Sequence, residues 1–328
     1  MPPALRPSAI DGAVAHGDLT ARFLAGLGAL PASAARLGLA VSGGPDSLAL
    51  LLLAHAALPG RVEAVTVDHQ LRDESAEEAA TVARICADLG VPHEVLTVTL
   101  AAGNVQAQAR AARYAAMAEW LRRRELAALA TGHHADDQAE TLLLRLNRGS
   151  GVAGLAGVRA RGRVPGTSLP LLRPLLDWRR SELSDVVANA GFVAADDPSN
   201  RSAKYDRARL RSAMTGADWL DVSAVAQSAA HLADADAALE WAAAREWREG
   251  VSKTPMGMAY RPRAPRAIAL RVIARIVLEL DGEEPRGGAV ARLFDSLMEG
   301  KPASIGALVA RATPEGWSFT KAPARRQT

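Results

Sequence analysis

The feature that most constrains this 328-residue chain is the hexapeptide Ser42-Gly43-Gly44-Pro45-Asp46-Ser47, set between a short apolar run and a leucine-rich one. Glycines let a backbone turn tightly and come close to a bound group. The amides that follow open a helix, and a helix N-terminus, with its positive dipole end, holds anions. Ser42 and Ser47 add hydroxyl donors. Asp46 would be repelled by bare phosphate, so its presence points to a bridging magnesium ion. This is not a Walker loop, because the Gly-Lys-Ser/Thr ending is missing. Nor is it the dinucleotide fingerprint, which needs a third glycine at another spacing.

The surrounding segments set the fold class. Residues 37–41, 62–67, 94–100 and 126–131 read as strands, and residues 46–58, 75–89, 105–125 and 135–147 as helices. This alternation predicts an α/β fold with a parallel sheet and crossover helices. The stretch 149–167, rich in glycine and arginine, reads as a flexible basic loop. Residues 177–190 read as a helix with Asp177 as its N-cap, and 192–211 as a charged connection. A long alanine-rich linker helix over 218–247 leads into a smaller mixed region with helices at 267–280 and 289–298 and a hairpin of 305–310 with 317–320. The expected division is a catalytic domain over 1–216, then the linker helix and a small C-terminal domain over 217–328.

Further motifs fall where strands end. Val67-Asp68-His69-Gln70-Leu71-Arg72 closes the second strand, and in an open parallel sheet ligands bind outside the carboxyl ends of the strands. Asp68 and His69 therefore join the loop residues as nucleotide-binding candidates. Arg110 and Arg113, three apart, share one face of the long helix. Gly132-His133-His134-Ala135-Asp136-Asp137-Gln138-Ala139-Glu140-Thr141 closes the fourth strand and opens a helix. The helix dipole accounts for one acid in a first turn, but not for two histidines ahead of three acids. Such a cluster can bind magnesium, act as a base or hold a cationic amine. The i, i+4 histidine pair usual for zinc is absent.

Taken in order, SGGPDS, VDHQLR, ARAARY, GHHADDQAETLLLRLNRGSG, GLAG, RPLL and DPSN, followed by the arginines of Tyr205-Asp206-Arg207-Ala208-Arg209-Leu210-Arg211, resemble the tRNA(Ile)-lysidine synthases of the PP-loop ATP pyrophosphatase superfamily. The resemblance covers about residues 37–211. It implies an adenine nucleotide alpha hydrolase-like PP-loop domain and an ATP- and magnesium-dependent ligase. That enzyme joins free L-lysine to carbon 2 of the wobble cytidine of a CAU-anticodon isoleucine tRNA through an adenylated base, releasing AMP and pyrophosphate. It implies that Ser42, Gly43, Gly44, Pro45, Asp46 and Ser47 cradle pyrophosphate, with Asp46 on the metal. Arg113, with Arg110, would stabilise charge at the α-phosphate or the adenylated base, and His133 would contact phosphate. Asp137 and Glu140 would hold the lysine ammonium. Asp136, Arg201, Arg207, Arg209 and Arg211 would reach substrate or tRNA. The family usually carries an Arg-Asn pair before its last arginine, whereas Ala208 follows Arg207 here, so a role for that asparagine does not transfer. The resemblance leaves room for a homodimer.

Composition narrows the alternatives. A single cysteine, Cys86, excludes disulfide frameworks and the cysteine pair that sulfur-carrying PP-loop thiolases generally need. Amidating ligases share the loop but lack the His-His-acid context and act on small molecules. A non-catalytic RNA-binding protein would not need Ser42, Asp46, Ser47, Asp137 and Glu140 intact. No apolar run is long enough for a membrane span, and residues 1–8 have no signal-peptide pattern, so a cytoplasmic location is expected. Only four of the 39 basic residues are lysines. Arg159, Arg161, Arg163, Arg173, Arg179 and Arg180 form a basic stretch suited to RNA phosphates.

Overall fold

In the computed structural model, residues 17–30, 35–68, 74–98, 105–194 and 206–322 are described. His69, Arg201 and the Asp-Pro-Ser-Asn segment lie outside them. Chain order opens with helix α1 (Gly17–Leu27), strand β1 (Leu37–Ala40), α2 (Pro45–Ala57), β2 (Val62–Asp68), α3 (Glu74–Asp88), β3 (His93–Thr97), α4 (Val105–Arg123), β4 (Ala128–Thr131) and α5 (Ala135–Leu146). Strands β1 to β3 pair in parallel, and β1 also pairs in parallel with β4. The sheet order β3-β2-β1-β4 reverses direction between β1 and β4, and such a switch point is where open α/β sheets bind ligands.

Each helix covers the face that its sequence dictates. The residues of α2 from Leu48 to Ala54 are all buried, as an all-apolar helix requires. They share a core with Phe23 and Leu27 of α1 and with Val82, Ile85 and Cys86 of α3. On another cluster, Tyr114, Met117, Trp120 and Leu121 of α4 pack with Val65, Leu129 and Leu171.

Beyond α5 the structure departs from the expected loop. Residues 149–167 hold a short helix, α6 (Val152–Leu155), and strand β5 (Arg161–Arg163), which pairs antiparallel with β6 (Pro170–Leu172). Strand β6 pairs in parallel with β4, so the sheet runs to six strands. Helix α7 (Arg180–Asn189) starts later than expected. Arg179 is its N-cap, and Glu182 accepts the Arg179 amide at 2.7 Å, whereas Asp177 accepts from Arg22 instead. Part of the expected charged connection is helix α8 (Asp206–Thr215).

Helix α9 (Val222–Gly250) begins where Asp221 accepts the amides of Ser223 and Ala224 at 2.8 and 3.1 Å. By its internal contacts the chain divides into Met1–Ala233 and Asp234–Thr328, and the dividing point falls within α9. The second unit adds β7 (Val251–Thr254), β8 (Gly257–Tyr260), α10 (Arg266–Asp281), α11 (Gly287–Met298), β9 (Ala303–Ile305), β10 (Leu308–Thr313) and β11 (Gly316–Lys321). Its sheet is antiparallel in the order β7-β8-β11-β10-β9, with β10 and β11 forming the expected hairpin; the β7–β8 hairpin was not foreseen. Trp317 packs edge-on against Tyr260 and Phe294, with centroids at 5.8 and 5.5 Å. Among the described residues no helix is long and apolar enough to cross a membrane.

Candidate active site

The hexapeptide loop leaves β1 and enters α2. Val41 ends the strand ladder by donating its amide to Val65 O at 2.9 Å. Gly43 takes φ +90°, in the left-handed region that suits glycine. Gly44 is the extended N-cap of α2, and Pro45 follows in its first turn, where a missing N–H costs nothing. Ser47 Oγ accepts the Ser42 amide at 3.1 Å and donates to Gly44 O at 2.9 Å. Ser47 therefore shapes the loop. A Cβ on Gly44 would approach only Ser42 Oγ, at 3.9 Å, which leaves room above the loop for an anion. The Val41 carbonyl accepts from Thr66 Oγ1 at 2.8 Å, and Thr66 also bonds His93 Nε2 at 2.9 Å. The peptide that enters the loop is thus held from both sides.

The end of β4 rests directly on this loop. A Cβ on Gly132 would lie 2.8 Å from the Asp46 carbonyl oxygen, so only glycine permits the approach. It brings His134 to Asp46: His134 Nε2 lies 3.4 Å from Asp46 Oδ2 and 3.6 Å from Asp137 Oδ2, while Nδ1 lies 3.6 Å from Asp136 Oδ2. Burial opposes charge on this imidazole, but the nearby carboxylates of Asp136, Asp46 and Asp137 outweigh it and push its pKa up to about 10. Three acids thus bias the buried His134 toward its charged form. Asp136 also accepts from Arg179 at 3.2 and 3.3 Å and from the Arg180 amide at 2.9 Å. Burial pushes the Asp136 carboxyl up, yet His134 and Arg179 hold it well below the usual carboxylate range. Asp46 Oδ1 is buried and accepts no hydrogen bond among the described residues.

Asp137 accepts the His134 amide at 3.3 Å, an N-terminal cap on α5. Glu140 is only 1% exposed, and both its oxygens take donors from Arg211, at 2.7 and 3.2 Å. The acid expected to stand open for an amine is thus already covered by a guanidinium. Arg207 donates to Thr141 Oγ1 at 3.2 Å. His133 bonds Thr131 Oγ1 at 2.9 Å. Burial lowers its pKa to about 4, against the pull of Asp137 and with the help of Arg173, Arg110 and Arg207, so it is neutral at pH 7. On α4, Arg110 and Arg113 lie 5.2 and 5.8 Å from the Tyr114 ring centroid. Asp68 ends β2, and its carbonyl accepts the Val98 amide.

The structure joins Asp46, Asp136 and Asp137 around His134, pairs Glu140 with Arg211, and sets Arg207 on Thr141 and His133 on Thr131 along the same motif. Sequence reasoning gave His134 no role of its own, though it stands in the same motif, and it passed over Thr66 and His93, which carry no motif. It also grouped six arginines as one RNA-facing stretch. Arg161 instead donates to the Leu27 and Ala29 carbonyls, and Arg179 binds Asp136. A cavity of about 350 Å³ lies between α5 and α8, lined by Leu144, Asn147, Arg148, Asp206, Arg209 and Leu210. It sits at the end of α5 away from the loop, and of the predicted substrate residues only Arg209 lines it.

A glycine loop at the switch point of a parallel sheet, opposed by an acid-rich helix start, defines an ATP-utilising PP-loop domain. The profile described as PP-loop domain matches residues 19–217. The chain is 46% identical over 320 residues to the tRNA(Ile)-lysidine synthase of Novosphingobium aromaticivorans, covering 96% of this chain and 98% of that protein. It is 42% identical over 298 residues to the enzyme of the same name from Zymomonas mobilis, covering 89% and 90%. The chain belongs to the tRNA(Ile)-lysidine synthase family. Among solved structures, the U34-tRNA thiolase of Methanococcus maripaludis shares the fold, with a TM-score of 0.54 at 15% identity over 66% of this chain and 77% of that one.

Proposed function

We propose that this chain ligates free lysine to carbon 2 of the wobble cytidine in a CAU-anticodon isoleucine tRNA at the expense of ATP. The observation that carries this reading is the Gly132 contact, which sets an anion cradle and a cation-seeking acid cluster against each other at one sheet edge. In the first step the cytosine 2-oxygen bonds the ATP α-phosphorus, and pyrophosphate leaves with the electrons of the broken P–O bond. In the second, Asp137 or Glu140 takes a proton from the lysine ammonium, the freed ε-nitrogen bonds carbon 2, and AMP leaves with the oxygen and the electrons of the broken carbon 2–oxygen bond.

Ser42, Gly43, Gly44 and Pro45 bind the leaving pyrophosphate, and Ser47 fixes their shape. Asp46, whose Oδ1 lacks a partner, fits a magnesium ion that shares its remaining ligands with substrate phosphates and waters, the usual way this ion is held. Bound there, the ion would neutralise charge between the phosphates. Arg113, with Arg110, faces charge at the α-phosphate. His133, neutral, offers an N–H without repelling a cation. A free amine is mostly protonated at pH 7. Asp137 takes the lysine ammonium, and Glu140 joins it when the amine replaces Arg211, whose guanidinium stands in for that ligand. The chain also carries its catalytic machinery within 1–216 and uses 217–328 to grip tRNA. His69, Asp68 and Arg201 complete the substrate contacts, and a homodimer is compatible with the reading.

The test is incubation with magnesium ATP, radiolabelled lysine and unmodified CAU-anticodon isoleucine tRNA, followed by mild base. Base strips an aminoacyl ester but leaves a nucleobase adduct. Base-stable label in RNA, absent with a methionine tRNA of the same anticodon, is expected. Pyrophosphate release without label would keep the adenylation and overturn lysine as the nucleophile.

A further inference from the structure

Where β6 ends, the chain buries a guanidinium that meets no carboxylate. Arg173 follows Leu172 and is 9% exposed. The register Leu129↔Leu171 and Ala130↔Leu172 sets it beside the end of β4, at the carboxyl edge of the sheet. Its Nη1 donates to the Arg159 carbonyl at 2.6 Å, and the Tyr114 side chain lies beside it. Its Nε–H is buried with no acceptor. Tyr114 is itself buried, and Arg110 lies over its ring. Among the described residues no Asp or Glu pairs with Arg173 or Arg110.

Half-buried cations elsewhere in this molecule are treated differently. Arg271 is held by Asp236 and Glu240, and Arg211 by Glu140. A desolvated guanidinium without a counterion is costly and persists where a ligand supplies the charge. A planar fork of donors matches phosphate oxygens.

We propose that Arg173 and Arg110, joined through Tyr114, form a phosphate-binding subsite at the end of β6, distinct from the glycine loop. In the order β1-β4-β6 this place lies two strand spacings, about 10 Å at the backbone, from the loop. The ligand is a single phosphate group. It comes either from the RNA backbone beside the target nucleotide or from the adenylate half of ATP. The identity of these two sources rests on the function proposed above; the phosphate chemistry does not.

The test compares the full chain with its Arg173→Lys and Arg173→Met variants in binding assays that need no turnover. The probes are a fluorescein-labelled anticodon stem-loop of the CAU isoleucine tRNA and ATP. Arg173→Met should weaken one probe by about 10- to 100-fold. Loss of RNA affinity alone assigns the backbone, and loss of ATP affinity alone assigns the nucleotide. The ligand-free melting temperature of Arg173→Met should hold or rise, because a charge without a counterion has been removed. Arg173→Lys, with charge but no fork, should fall between. Equal affinities for both probes across the folded variants would overturn the subsite. So would an Arg173→Met melting temperature that falls with both affinities, the mark of a purely structural residue. If Arg173→Met does not fold, Arg173→Lys decides, and wild-type affinity for both probes in it overturns the proposal. Absence of lysine incorporation would leave these binding results standing.

Discussion

In the C-terminal unit, buried Glu246 accepts from the Tyr260 hydroxyl at 3.1 Å and from the amides of Arg263 and Ala264 at 2.8 and 3.2 Å, and Asp236 meets Arg271. At the carboxyl edge of the parallel sheet, Asp46 Oδ1 and Arg173 Nε are buried without partners. There three carboxylates also bias one imidazole toward its charged form, while burial biases its neighbour toward the neutral one. Both regions bury polar groups. One satisfies them internally and so gains stability; the other leaves them for substrate and accepts local frustration. Charged side chains left over after folding therefore mark candidate chemistry, whereas the unpartnered indole N–H groups of Trp120 and Trp178 lie in the hydrophobic cores and do not.

That contrast can be broken by exchanging the kinds of effect. Asp46→Ala should cut base-stable lysine incorporation by about a hundred- to a thousand-fold. Its urea midpoint should move less than that of the next variant. Glu246→Ala strands three donors and should cost about 3 kcal/mol of folding free energy, with ATP affinity unchanged wherever the protein is folded. A large loss of ATP affinity in Glu246→Ala would erase the distinction. Thr66→Val removes the bond to the Val41 carbonyl and should raise the KM for ATP about five- to tenfold with little change in the KM for lysine. An equal rise in both would deny the loop its special support.

The smallest effect concerns pH. His133 titrates near 4 when folded and near 6.5 when unfolded, so the unfolded chain binds more protons between those values. Its contribution to stability is full above pH 6.5 and is lost as pH falls toward 4. His133→Gln should flatten that part of the urea-midpoint profile, and an unchanged slope would contradict the burial of this ring.

Much of the first unit was legible because it is written locally. The runs behind β1, β2 and β4 are short and apolar, and each ends in a motif, so strand ends and candidate residues coincide. What escaped was set by distant partners. Strands β5 and β6 have three residues each, too few to show a period, and exist because β4 offers an edge to β6. Helix α8 has no buried residue, so no apolar stripe marks it. The Glu140–Arg211 pair joins residues 71 apart, and His134 meets Asp46 across an even longer separation. Residue type suggested that such groups were charged and functional, but only the fold says which charge answers which.

Gly132 has one more consequence. Its missing side chain lets the end of β4 lie on the backbone of Asp46 and Ser47, with nothing soft between them. Close-packed backbone transmits displacement with little loss. The acids that follow Gly132 on the same chain therefore feel whether the loop is full. On the function proposed above, occupancy at the two places is expected to be linked, and such linkage is reciprocal: by whatever factor a nucleotide in the loop tightens the hold on an amine, the amine tightens the hold on the nucleotide.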